Sequence, residues 1–126
     1  MERLKRKIDT VLVSWKNTPD HMPLIIKGAR QVGKTEAIKH FAEGHYKSLV
    51  EINFVLQKQY KDIFDDGFEV DTILKNISLR NPDFEFIPGE TLIFFDELQD
   101  CINCATSLKS FRLDGRFDVI CSGSLM

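Results

Sequence analysis

The 126-residue sequence has no uninterrupted apolar run near the ~18 residues that a membrane-spanning helix requires. Its amino terminus, MERLKRKIDT, has no apolar stretch of the kind a secretory signal carries. The expected setting is the cytoplasm, with no membrane partner. Excess positive charge is also missing. A formal net charge of -2 and a pI near 5.9 exclude the strongly basic footprint of a dedicated nucleic-acid binder. The one dense basic run, RLKRK at Arg3 to Lys7, reads as a solvated helix face. Cysteine is scarce. Cys101, Cys104 and Cys121 suit free thiols in a reducing compartment, and CINC at 101–104 has no second cysteine pair to complete a zinc site. His21, His40 and His45 show no ligand spacing with each other or with the cysteines. There is no internal repeat, low-complexity tract or Gly/Ser/Pro-rich tether.

What is present is the composition of one globular domain, with 43% hydrophobic and 29% charged residues, enough to bury a core. Leu4, Ile8, Leu12 and Trp15 recur at helical spacing, so residues 2–17 read as an amphipathic helix that docks by this stripe. Residues 1–20 are expected to form this helix and its linker, and 21–126 the main domain. LIIKG is a short buried strand, KTEAIKHFAEG a helix, and KSLVEINFV a second strand. Residues 56–65 read as helical. DTILKNISLR reads as a helix capped by Asp71. TLIFFDE is a third strand, apolar on both faces as a central parallel strand is. CATSLKSFRL is a helix and FDVICSGS a fourth strand. This alternation predicts a parallel sheet between helices, an α/β three-layer sandwich.

The chemistry is concentrated at two strand ends. Gly28-Ala29-Arg30-Gln31-Val32-Gly33-Lys34-Thr35 matches G-x-x-x-x-G-K-[ST], directly after a strand and opening a helix. Gly28 permits the turn out of the strand, and Gly33 lets backbone approach a phosphate. N–H groups from Val32 to Thr35 then face the loop at the positive end of the helix, with Glu36 next in line. Lys34 supplies a mobile charge to the outer phosphates, and the Thr35 hydroxyl is a ligand for Mg²⁺. Arg30 and Gln31 face a phosphate, a partner subunit or solvent; the sequence does not choose. At the second strand end, Asp96 follows four apolar residues and is placed to hold a magnesium water. Glu97 is placed to orient and polarise an attacking water. The adjacent Asp-Glu pair favours water as the nucleophile and hence ATP hydrolysis. A P-loop kinase of small molecules, or a non-hydrolysing nucleotide-dependent interaction module or fragment, are the alternatives.

GARQVGKT, INF, TLIFFDELQDC, SLKSF and DGRFDVICSGSLM together resemble the prokaryotic AAA+ ATPases that carry a carboxy-terminal domain of unknown function. The resemblance covers nearly the whole chain, most firmly residues 24–36 and 90–126. It implies a P-loop NTPase fold of AAA+ type, with ATP and Mg²⁺ bound. Lys34 and Glu97 have catalytic roles in it, and Thr35 and Asp96 serve the metal. It also implies a polar residue at the end of the fourth strand that senses the γ-phosphate, for which Ser122 and Ser124 are both candidates. The implied strand order is five-one-four-three-two, and the family's fifth strand, helical lid and arginine finger have no counterpart before Met126. The expectation is a core truncated after the fourth strand, the front part of a longer protein that forms homo-oligomers.

Overall fold

The structure, a computed structural model, describes residues 2–28 and 33–123, with side chains of the first helix described from Lys7 onward. The element order is α1 (Glu2–Asn17), β1 (Leu24–Lys27), α2 (Lys34–His45), β2 (Ser48–Asn53), a 3-10 segment (Lys58–Phe64), α3 (Val70–Arg80), β3 (Thr91–Asp96), a 3-10 turn (Leu98–Asp100), α4 (Ile102–Asp114) and β4 (Asp118–Gly123). The strands form one sheet in the order β1-β4-β3-β2, and every pairing is parallel. This is the expected α/β sandwich and the expected strand order.

Alternation of side chains along each strand builds two cores. On one face Leu92, Phe94 and Ile120 pack against Ile38, Phe41 and Ala42 of α2 and Leu12 of α1. On the other, Val50, Ile52, Ile93, Phe95, Val119 and Cys121 pack under α3, α4 and the 3-10 segment. β3 is buried at every position, as its unbroken apolar run requires. β1 and β2 are the edge strands, and Ile25 of β1 is 39% exposed. Of the α1 stripe, Leu12 is fully buried and Ile8 and Trp15 pack beside it, while Leu4 lies outside the described side chains. None of the described helices is long and apolar enough to cross a membrane.

Some boundaries differ from the sequence reading. The helical segment at 56–65 is a 3-10 segment, closed by Tyr60 N–H to Gln57 O and Asp65 N–H to Asp62 O. Asp71 does not cap α3. The cap position is Glu69, and the Asp71 carboxylate instead accepts from Arg116 of the α4–β4 turn. α4 begins at Ile102, two residues before the expected start, because Cys101 supplies the extended cap position.

The amino end of the sheet is tied by Asp118 at the start of β4. Its carboxylate accepts from His21 Nε2 and Tyr46 Oη, each at 2.6 Å. Lys16 stands 3.7 Å away. These contacts fasten the α1–β1 linker and the end of α2 to the sheet, at the edge opposite the site described next.

Candidate functional site

In a parallel α/β sheet the carboxyl ends of the strands open into a crevice between the loops that follow them. Here β1 ends at Lys27 and Gly28, β2 at Asn53, β3 at Asp96 and β4 at Gly123. Asn53 and Asp96 are register partners across the β2–β3 pair. A cleft of about 440 Å³ lies over these ends, lined by Lys34, Thr35, Asn53, Asp96, Glu97 and Gly123 with Glu51, Leu56 and Gln57.

α2 enters this cleft by its amino terminus. Gly33 precedes it with φ 74°, ψ 26°, a left-handed conformation that a side chain would strain although space is open around it. The turn delivers Lys34 and Thr35 as the first helical residues. Lys34 is 6% exposed, and its Nζ donates to Gly28 O at 2.7 Å and Gly123 O at 3.0 Å. The ammonium is thus held between the ends of β1 and β4. Thr35 Oγ1 donates to Asp96 Oδ2 at 3.0 Å.

Asp96 is nearly buried, so its charge needs donors close by. Besides Thr35 it accepts from the Ser122 hydroxyl and, at 3.0 Å, from the backbone N–H of Glu97. Asn53 Nδ2 makes a longer contact of 3.5 Å to Oδ2. Glu97 follows with φ 60°, ψ 50°, the left-handed region in a residue with a side chain. Such a conformation costs on the order of 1–3 kcal/mol and persists where surrounding structure imposes it. Here Leu98, almost fully buried, and the Asp100 N–H to Glu97 O bond at 3.0 Å impose the turn. The Glu97 carboxylate accepts from Gln99 Nε2 at 2.7 Å.

Of the residues singled out from sequence, Gly28, Gly33, Lys34, Thr35, Asp96, Glu97 and Ser122 converge on this one sheet edge. Ala29, Arg30, Gln31, Val32 and Ser124 lie outside the described residues. Ser122 is fully buried and places its hydroxyl beneath Asp96. Glu36 is exposed, and its side chain lines a separate groove with Asp9, His40 and Glu43 between α1 and α2. Sequence reading missed Asn53, Gln57 and Gln99. Asn53 Oδ1 accepts from the N–H groups of Val55 and Leu56, both at 2.9 Å, and Gln57 Oε1 accepts from Asn53 N–H at 3.0 Å. An Asn closing an apolar strand beside the Asp96 strand was the available signal for the first of these.

The donor set fits magnesium. Thr35 and Asp96 offer a hydroxyl and a carboxylate, hard oxygen ligands within contact of each other. Among the described residues no group of three or more His, Cys, Asp or Glu forms a self-sufficient metal cage. Mg²⁺ bound through one or two protein oxygens and substrate phosphates needs no such cage.

A family model described as an AAA domain matches residues 20–126. The chain belongs to the AAA domain family. Members are nucleotide-binding proteins of the ATPase class, and in this AAA domain Lys34 and Thr35 stand in one cleft with Asp96 and Glu97. Among solved structures, that of C. elegans PCH-2 is similar at 16% identity, over 96% of this chain and 34% of the PCH-2 chain, with a TM-score of 0.48. The AAA domain described here therefore spans about a third of that chain's length. No curated protein matches the sequence.

Proposed function

We propose that this AAA domain binds ATP with Mg²⁺ at the carboxyl edge of its sheet, and that the intact protein hydrolyses it. The observation that carries the reading is the Thr35 Oγ1 to Asp96 Oδ2 contact, which joins the phosphate loop to the β3 carboxylate. Lys34 and Glu97 share that cleft. Mg²⁺ bound there would neutralise negative charge on the phosphates. Lys34 exchanges its carbonyl partners for phosphate oxygens, and backbone N–H groups at the start of α2 face the same anion. Thr35 Oγ1 and the Asp96 carboxylate, the latter steadied by Ser122, would hold the metal. Glu97 orients the attacking water and accepts its proton as the water oxygen bonds to the γ-phosphorus and the bond to the ADP oxygen breaks. Placement in the cytoplasm, membership of the subgroup with a carboxy-terminal domain, and homo-oligomer formation belong to this same reading. The subgroup and the oligomer are supported by the resemblance of the quoted motifs, and the cytoplasm by the charged amino terminus.

The test is phosphate release by the native protein beside its Glu97→Gln variant. Glu97→Gln is expected to bind MgATP as wild type does and to lose turnover. An equal rate in the two proteins would remove Glu97 from the mechanism.

A further inference from the structure

Gln99 stands two residues beyond Glu97, inside the short 3-10 turn, and no part of the reading above uses it. Its Nε2 donates to Glu97 Oε1 at 2.7 Å. Its own Oε1 is buried and has no hydrogen-bond partner among the described residues. The amide orientation follows from chemistry. Turning it over would bring a carbonyl oxygen against a carboxylate and leave an NH₂ group buried instead. The side chain therefore keeps an unsatisfied acceptor in order to keep its donor on Glu97. A buried unsatisfied group in a folded protein calls for a reason of this kind.

The backbone is built for the same contact. Glu97 takes the left-handed conformation, the Asp100 N–H closes onto Glu97 O, and buried Leu98 anchors the turn in the core. The chain doubles back at once, and the Gln99 amide lies against the carboxylate at the cleft wall. An amide donor on one carboxylate oxygen fixes the rotation of the whole group. Alignment of an attacking water depends on that rotation, because small misplacements of a catalytic group are costly in rate.

We propose that Gln99 is a positioning residue for Glu97, whose amide fixes the carboxylate in the orientation that aligns the attacking water. The proposal rests on the reading of Glu97 as the water-orienting group. Gln99 is not among the residues that line the cleft, so it acts on turnover through Glu97 and leaves nucleotide affinity alone.

Gln99→Met and Gln99→Glu test it in the native protein. Methionine keeps the length and removes both the donor and the unsatisfied oxygen. Its melting temperature should equal or exceed that of wild type. Its kcat should fall about ten- to a hundredfold, the loss of one hydrogen bond to a charged group, with KM for ATP unchanged. Gln99→Glu keeps the shape, sets like charges together and should lose at least as much. In a Glu97→Gln background, Gln99→Met should cause no further loss of residual turnover, since coupled residues are non-additive. A merely structural Gln99 would instead lower the melting temperature and give additive effects, which overturns the proposal. Wild-type kcat in both Gln99 variants, with Glu97→Gln inactive, overturns the proposal and leaves the role of Glu97 standing. Wild-type turnover in Glu97→Gln overturns both.

Discussion

Thr35 and Asp96, 61 positions apart in sequence, meet at 3.0 Å through Oγ1 and Oδ2. The amino terminus of α2 is thereby joined to the end of the third strand. Removing either oxygen should alter the response to the metal more than the fold. Thr35→Val is expected to raise the Mg²⁺ concentration for half-maximal ATP turnover by about tenfold, the value of one ligand of hydrogen-bond strength. Asp96→Asn should abolish the difference in nucleotide affinity measured with and without Mg²⁺. Calorimetric titrations of ATP in magnesium and in EDTA give both values, and an unaltered magnesium effect in Asp96→Asn would refute its metal role.

Among the described residues Lys34 is the cation buried in the cleft, between Gly28 O and Gly123 O. Lys34→Ala should weaken MgATP and MgADP binding by on the order of ten- to a hundredfold. It also leaves two strand-end carbonyls without their donor, so its melting temperature without nucleotide should fall. Stabilisation by added nucleotide follows affinity, and a thermal shift series reads both effects in one experiment. Equal affinity in wild type and variant would exclude Lys34 from phosphate contact.

Tyr46 gives a pH prediction at the other end of the sheet. Burial first, and then its hydrogen bond to Asp118, push the phenol far above its ordinary value near 10. The folded state therefore holds the proton more tightly than the unfolded chain. The stabilisation is complete below about pH 10 and is lost as pH rises beyond it, while the unfolded phenol ionises and the folded one does not. Tyr46→Phe should lower stability by about 1 kcal/mol near pH 8, the net value of a hydrogen bond. It should also flatten the decline between about pH 10 and 11. Urea midpoints at several pH values decide the matter: parallel declines in the two proteins would exclude the Tyr46–Asp118 pair as the source.

The architecture was readable because its signals are local. LIIK, TLIFFD and FDVICSG are apolar runs of strand length, and the helices between them carry a repeating apolar face. Lys34, Thr35, Asp96 and Glu97 were readable because their spacing, or their place at a strand end, is the signal. Asn53 and Gln99 depend on information that spacing does not hold. The Asn53–Asp96 contact exists only because β2 and β3 pair in one register out of several. Gln99 reaches Glu97 only because Glu97 adopts a backbone conformation that favours glycine. The Asp71 cap failed for a similar reason. Local preference pointed to the helix end, and a distant arginine took the carboxylate.

β3 is covered on both faces and paired along both edges. Its amides can exchange with solvent only when the sheet itself opens, so they belong to the most protected unit of the fold. Asp96 is the last residue of that strand, and its position is inherited from global stability. A weakening substitution in either core, at Phe94 or Phe95 for instance, therefore has no easy means of displacing the carboxylate by degrees. It changes how many molecules are folded at any moment. Damage to this framework reads out as a smaller active fraction, whose members keep the wild-type affinity for their ligand.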